Sequence, residues 1–92
     1  MSHILTAEGG VFLKICIKSM VFKDQFGDRH TDEDTLYRHK PHGMKKSEAE
    51  KALKWANKKG WMFRVKKQGE WHYSLNSTYK IEINEFLYKA GL

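Results

Sequence analysis

Three lysines are spaced so that a single helix face would carry all of them. Lys51, Lys54 and Lys58 are separated by three and four residues, which is the spacing of neighbours on an α-helix. Ammonium groups in such a row bind phosphates, because lysine and arginine release the counterions that condense on a nucleic acid. A lysine row alone is more often a solvated helix face, so the surrounding charge has to decide between these interpretations.

The surrounding charge is concentrated in one segment of the 92-residue chain. Residues 38–67 contain 11 lysines and arginines against two acidic residues, whereas residues 1–37 and 68–92 are slightly acidic, and the formal net charge is +6. Such a concentration of one sign indicates a polyanionic partner. The candidate nucleic-acid-binding residues are Arg38, Lys40, His42, Lys45, Lys46, Ser47, Lys51, Lys54, Asn57, Lys58, Arg64, Lys66 and Lys67.

Sequence selectivity would require polar groups beside these cations, since phosphate contacts carry no base information. Ser47, Asn57 and His42 are the candidates. Glu48 and Glu50 lie among the cations and would repel phosphate. We interpret them as partners of a helix N-terminus, with direct contact to a cytosine amino group as the alternative.

Metal binding and catalysis find little support. His39 and His42 are three residues apart, but Pro41 breaks helical geometry between them and no nearby cysteine or acidic pair completes a ligand set. The sequence has no Ser/His/Asp arrangement and no glycine-rich phosphate loop, so we predict no metal, no cofactor and no enzyme activity. The single cysteine, Cys16, lies in an apolar run and is predicted to be buried, with a disulfide between subunits as the alternative.

Five aromatic residues have two interpretations. They are Trp55, Trp61, Phe63, Trp71 and Tyr73. Exposed, they would form a stacking platform for single-stranded nucleic acid. At helical and strand spacing beside alanine and valine they are more typical of a core, and we expect Trp55 to be the one that is partly exposed.

Lys51, Lys54 and Lys58 lie on one face only if their segment is a helix, and the sequence marks both ends of such a helix. Ser47 and Glu50 fit a capping box, and apolar residues then recur from Ala49 to Ala56 at intervals of three and four. Gly60 follows Lys58 and Lys59 as a helix-ending glycine should. We therefore predict a helix over residues 48–59, with alanines buried against a close neighbour and lysines in solvent.

After Gly60 the period changes from 3.6 to 2, which predicts a β-hairpin. Every second residue is a large apolar or aromatic one over 61–66 (Trp61, Phe63, Val65) and again over 71–75 (Trp71, Tyr73, Leu75). Gly69 supplies the positive φ of the tight turn between them. Before the basic segment, Thr31 and three acidic residues predict a short helix over 32–39 that Pro41 ends. Residues 26–28 predict a turn.

Both ends of the chain are harder to assign. Residues 4–23 mix helical spacing with β-branched residues, and we favour a helix that starts after Gly9 and Gly10. The tail begins with strand-like alternation at Tyr79, Ile81 and Ile83. A short helix should follow, with Asn84 as its cap and an inward-facing side made of Phe86, Leu87 and Ala90.

Residues 31–75, with the capped basic helix, the Gly60–Trp61 junction and the hairpin, resemble a winged helix-turn-helix domain. The resemblance implies an α+β fold with three or four helices and a two- or three-stranded antiparallel wing. It also implies that the basic helix enters the major groove while the hairpin touches the adjacent backbone or minor groove. The link from His39 to Ser47 is longer than in the simplest helix-turn-helix proteins, which leaves the angle between the two helices open.

We therefore expect one domain over residues 1–92 that binds double-stranded DNA selectively, as a small regulator of microbial, viral or mobile-element type. A homodimer is expected, joined by the N-terminal apolar segment and the tail. The alternatives are a protein-interaction module with an acidic partner, and RNA binding. Lysines and a serine interrupt the longest apolar stretch, 11–22, and no secretory signal is recognisable, so we expect no membrane span and a cytoplasmic or nuclear location.

Overall fold

The computed structural model describes residues 5–89, which form four α-helices and a three-stranded antiparallel sheet. This agrees with the predicted α+β class. In chain order the elements are α1 (Ala7–Phe22), β1 (Thr31–Asp32), α2 (Glu33–Tyr37), α3 (Lys46–Lys58), β2 (Met62–Lys67), β3 (Glu70–Leu75), a 3-10 turn (Ser77–Tyr79) and α4 (Lys80–Lys89). The strands are ordered β1-β3-β2, so that β3 is central.

The ambiguous N-terminal segment is the helix α1, but it begins before the glycine pair rather than after it. Thr6 caps it, with Oγ1 accepting a hydrogen bond from the Gly9 N–H at 2.9 Å. Gly9 is buried within the helix, and a Cβ built there would lie 3.6 Å from the Ala52 Cβ. That is an ordinary contact distance, and the Thr6 hydroxyl, at 3.0 Å, is what a side chain at residue 9 would meet first. α1 and α3 thus pack closely at this point, as the alanine-rich face of α3 predicts.

The second helix is shorter than predicted and has a different cap. Thr31 lies in β1, paired with Tyr73 of β3, and Asp32 caps α2 instead. The Asp32 carboxylate accepts hydrogen bonds from the Thr35 N–H at 3.1 Å and from the Thr35 hydroxyl at 2.7 Å. Pairing with a strand some 40 residues away takes Thr31 out of the role that local sequence favours.

α3 is present with the predicted faces, but the capping box is wrong. Ala49, Ala52, Leu53 and Ala56 are buried, as expected. The helix starts at Lys46, the N-cap is Lys45 without a side-chain hydrogen bond, and Ser47 is exposed inside the first turn. The buried Met44, whose N–H bonds to the Pro41 carbonyl, anchors the chain just before the helix and sets this earlier start.

The β2–β3 hairpin turns at Gln68 and Gly69, whose φ angles of 50° and 83° are those of a type I′ turn. Its register places Arg64 opposite Tyr73 and Lys66 opposite Trp71, on the side of the sheet that carries the buried Tyr73. Phe63 therefore faces away and is 48% exposed, which corrects the expectation that it belongs to the core. Alternation defines two faces, and the register with β3 decides which one is buried.

The tail is helical throughout its described part, so the predicted strand-like start is wrong. Tyr79 lies in the 3-10 turn, and Asn84 lies within α4 rather than at its cap. Ile83 is buried, but Ile81 is 77% exposed, so the alternation did not mark a buried strand face. Phe86 and Leu87 pack against the core as expected, while Ala90 lies outside the described residues.

The core lies between α1, α3 and one face of the sheet. It includes Cys16, whose thiol is buried as predicted and donates to the Leu36 carbonyl at 3.6 Å. Burial raises the pKa of this thiol, because the thiolate would lose its solvation. Within residues 5–89, no helix is long and apolar enough to span a lipid bilayer.

Candidate nucleic-acid interface

The outer face of α3 carries the predicted lysine row. Lys51, Lys54, Lys58 and the neighbouring Ser47 are all exposed. Lys54 forms an ion pair with Glu50 one turn earlier, with Nζ and Oε1 3.5 Å apart. This pair is exposed and therefore weak, so Lys54 remains available to a stronger anionic partner.

The start of α3 mixes basic and acidic groups. The Lys46 ammonium lies 5.2 Å from the centre of the Tyr37 ring, close enough for a cation–π contact. Tyr37 is buried, and this desolvation raises its pKa, with smaller contributions from Glu33, Tyr73 and Glu50. The first two turns of α3 thus contain the carboxylates of Glu48 and Glu50 as well as the ammonium groups of Lys46 and Lys51.

The other basic residues before α3 differ in exposure. Arg38 and Lys45 are exposed, as is His42, whereas Lys40 is half-buried. All four lie between α2 and α3: Arg38 is the C-cap of α2, Lys45 is the N-cap of α3, and the other two lie in the link. The candidate residues of this stretch are therefore next to the lysine row along the chain.

The hairpin holds its cations over an aromatic ring. The Arg64 guanidinium carbon lies 3.6 Å from the centre of the Trp71 ring, which is a direct stack. The Lys66 ammonium lies 5.4 Å from the centre of the same ring. Trp71 is half-buried, so it serves as a platform for two cations rather than as a core residue alone. Lys67, beside the turn, is exposed.

Tyr73, which pairs with Arg64 across the hairpin, is fully buried. Burial raises the pKa of Tyr73, the neighbouring Arg64 guanidinium lowers it, and the carboxylates of Glu33 and Glu50 raise it. Neither the Tyr73 hydroxyl nor the Arg64 Nε has a hydrogen-bond partner among the described residues. Arg64 is thus held by its stack on Trp71 and not by a hydrogen bond donated from Nε.

Asn57 has a structural contact that the sequence did not reveal. Its side-chain amide donates to the Met62 carbonyl at 2.9 Å and ties the last turn of α3 to the start of β2. Asn57 is half-buried. Part of its hydrogen-bonding capacity is therefore used to position the hairpin.

The junction between α3 and β2 is tightly held. Gly60 has a φ of 86°, and a Cβ built there would lie 3.0 Å from the ring of Tyr79. Its carbonyl accepts a hydrogen bond from the Asn76 side chain at 2.9 Å. Glycine is required on both grounds, by backbone conformation and by space. The angle between the lysine row and the hairpin is therefore fixed by packing.

A second aromatic cluster lies at the C-terminal end of α3. Trp55 and Trp61 meet edge to face, with ring centres 5.3 Å apart, and Phe86 of α4 packs on both. The Lys59 ammonium lies 5.5 Å from the centre of the Trp55 ring. Trp55 is half-buried, as predicted, and the cluster fastens α4 to α3.

The sequence did not reveal that the rings of Tyr37 and Trp71 contact cations. The detectable pattern was the cross-strand pairing of Lys66 with Trp71 once Gln68 and Gly69 are taken as a two-residue turn. Tyr37 had no such pattern, because its contact with Lys46 joins two helices across a link.

Carboxylates gather elsewhere, where β1 and α2 meet the turn end of β3. Oxygens of Asp32, Asp34 and Glu70 lie within 4.8 Å of one another. The Thr35 contacts already engage both oxygens of Asp32, and the hydroxyl of Thr35 above all lowers the pKa of that carboxyl. Exposed acidic groups of this kind are common without an ion, and we assign none here.

Comparisons of this chain with models of protein families, with curated proteins and with solved structures found no match.

Proposed function

We propose that this chain is a winged helix domain that binds double-stranded DNA, with α3 in the major groove and the β2–β3 hairpin on the adjacent backbone. The proposal rests on one observation above all. The basic segment 38–67 supplies exposed cations to two elements, α3 and the hairpin, that a single fixed junction joins at Gly60. A rigid pair of basic elements is suited to a rigid polyanion.

The order of elements supports the winged assignment. Residues 7–75 run α1, β1, α2, α3, β2, β3, with β3 between the other two strands. That is a helix–helix unit followed by a hairpin, with one short strand added at the edge of the sheet. The resemblance of residues 31–75 to winged domains leads to the same arrangement.

In this proposal, the exposed side chains of α3 and those of the hairpin have different roles in binding. Lys51, Lys54 and Lys58 approach the groove with Ser47, and hydrogen bonds from Ser47 and Lys51 contribute selectivity. Lys66 and Lys67 contact phosphates, which adds affinity without selectivity. The domain acts by occupying a site on DNA and not by chemistry.

A salt titration with random duplex DNA tests the proposal. If about five or six cations neutralise phosphates, log K falls against log salt with a slope of roughly −5. Replacing both Lys51 and Lys58 by alanine should make this slope less steep by about 2. A matched variant with Lys23 and Lys80 replaced by alanine, two exposed lysines outside the basic segment, should leave the slope unchanged.

No binding to random duplex in about 50 mM salt would overturn the proposal. Equal losses from the two double variants would also contradict it, because net charge and not the α3 surface would then govern binding. Capture of an acidic protein partner by a chain that ignores duplex DNA would establish the interaction-module alternative.

A further inference from the structure

The outer face of α1 carries a stripe that the proposed DNA contact does not use. Its members are Glu8, Val11, Ile15, Lys18 and Phe22, at intervals of three and four residues. All five are exposed, and the exposed fractions of Val11, Ile15 and Phe22 are 43%, 38% and 89%. The opposite face of the same helix is buried and includes Phe12, Cys16 and Met20. α1 is thus apolar on both sides, and the chain covers one of them.

Intervals of three and four over two heptads are the pattern of a helix that packs along another helix. The stripe also has a self-complementary order of charge. It begins with an acid, continues with two β-branched residues and then has a base. Glu8 and Lys18 are each five positions along the sequence from residue 13, and Val11 and Ile15 are each two positions from it.

An antiparallel pair of α1 helices with a two-fold axis level with residue 13 satisfies this order. Glu8 then lies opposite Lys18 of the second copy, and Val11 lies opposite its Ile15. A parallel pair would instead set Glu8 against Glu8 and Lys18 against Lys18, which is unfavourable. In the described part of the chain, neither Glu8 nor Lys18 is in an ion pair that would compete.

We propose that α1 pairs in antiparallel fashion with α1 of a second copy of this chain, through Val11 and Ile15 at the centre and Glu8 and Lys18 at the ends. The inference goes beyond DNA binding and does not depend on it. α3 packs on the buried side of α1, where Gly9 meets Ala52, so the pair leaves the lysine rows of both copies uncovered.

The contact is modest in size. α1 has 16 residues, about 24 Å of helix at 1.5 Å per residue. Stable interfaces bury about 1,200–2,000 Å² in total with about 20–30 residues a side, so a contact centred on five residues per copy is small by that standard. The dimer is therefore expected to depend on protein concentration.

Sedimentation equilibrium without DNA tests the pairing. At about 100 μM, above micromolar dissociation constants, the apparent mass should approach twice the 10.9 kDa of the chain. Ile15→Asp should weaken association at least about tenfold, because it buries a charge at the centre of the contact. A wild-type mass that stays at the monomer value at this concentration overturns the proposal.

Charge exchange tests the direction of the pair. Glu8→Lys alone and Lys18→Glu alone should each weaken association by roughly tenfold, and the double variant should restore it. Lys23→Glu, an exposed reversal next to the stripe, is the matched control and should have no effect. A double variant that folds, by its melting curve, but stays monomeric overturns the antiparallel arrangement.

Disulfide trapping gives a second measurement that does not rely on charge. Mixing Val11→Cys chains with Ile15→Cys chains under oxidation should yield a crosslinked heterodimer, and Val11→Cys alone should yield far less. Equal yields from the mixture and the single variant overturn the register. Because Ile15→Asp monomers should still bind random duplex DNA, failure of the dimer and failure of DNA binding can be told apart.

Discussion

α3 and the β2–β3 hairpin both present cations to solvent, but they hold them in different ways. On α3, Lys51 and Lys58 extend from an exposed helix face. On the hairpin, Arg64 and Lys66 lie over the ring of Trp71. The helix is anchored by its buried alanines and Leu53, whereas the outer face of the hairpin leaves Phe63 and Val65 exposed. α3 thus has free cationic side chains. The hairpin has positioned ones, on a ribbon that is buried on one face, at Met62, Tyr73 and Leu75, and uncovered on the other.

This difference has an energetic meaning. Ordering a free lysine or arginine side chain costs about 1.5–2 kcal/mol of conformational entropy. The α3 lysines would lose this entropy on binding, whereas Arg64 has already lost part of it through its stack on Trp71. We therefore expect the hairpin to contribute phosphate contacts with preordered side chains. α3 should contribute contacts whose side chains adjust to the base sequence of the DNA.

Substitutions on the buried face of α3 and on the exposed face of the hairpin should have the largest and most unequal effects. Leu53→Ala removes a fully buried side chain from the inner face of α3 and should lower the free energy of unfolding by about 2–5 kcal/mol. Val65→Ala, on the exposed face of β2, should cost less than about 1 kcal/mol. Urea denaturation measures both. Similar losses would mean that the outer face of β2 is packed as firmly as the inner face of α3.

Removal of the Trp71 ring should weaken only the DNA contacts that the hairpin makes. Trp71→Leu takes away the ring under Arg64 and Lys66 and should weaken binding to every duplex by up to about tenfold, because a cation–π contact contributes about 0.5–2 kcal/mol. Trp71→Phe should give an intermediate loss. Phe63→Leu, on the opposite face of the same ribbon, is the control and should leave affinity unchanged. Loss of site preference without loss of general affinity would contradict this role.

α2 and α3 should differ in their dependence on helix caps. Asp32→Ala removes the cap of α2 beside the sheet and should cost about 1 kcal/mol of stability. Ser47→Ala should stay within about 0.5 kcal/mol, because Ser47 makes no cap bond to α3. Thermal melting of both variants measures this. An equal loss at Ser47 would restore the capping box.

Acid should remove the Asp32 contribution. The pKa of this carboxyl is lowered in the folded chain, first by the hydroxyl of Thr35, from an ordinary value of 3.8. A lowered folded pKa stabilises the fold above the ordinary value, and the stabilisation is lost as pH falls through the folded pKa. The stability difference between wild type and Asp32→Ala should therefore shrink below about pH 4.

The smallest expected effect concerns the acid within the basic face. Glu50→Gln frees Lys54 from its ion pair and removes a negative charge near the start of α3. Affinity for duplex DNA should rise by about threefold at low salt, and this gain should fade as salt increases. Asp28→Asn, an exposed neutralisation in the loop after α1, is the control. A loss of affinity instead would favour contact of Glu50 with a base.

Local pattern was sufficient where one element decides its own geometry. The faces of α3 follow from the spacing of Ala49, Ala52 and Leu53, and the turn at Gln68 and Gly69 follows from the need for positive φ. The exposed lysine row followed from the same spacing. These features depend on residues within a few positions of each other.

The remainder depends on contacts between distant parts of the chain. Thr31 forms a strand because Tyr73 is available to pair with it, and the start of α3 depends on the burial of Met44. Prediction of the contact between Arg64 and Trp71 would have required the register of the hairpin in addition to the alternation of apolar residues. Ile81 misled the prediction of the tail, because nothing in the sequence marks it as exposed.

The packing of Tyr79 against Gly60 has a consequence for the kinetics of recognition. A junction that is held by an aromatic ring and by the Asn76 amide gives α3 and the hairpin their mutual angle before any partner arrives. Association then needs no slow rearrangement, and its rate should be set by diffusion and by long-range attraction, with on-rates that fall steeply as salt increases. Replacing Gly60 would slow the encounter itself, because only the fraction of molecules with the correct angle would be competent to bind.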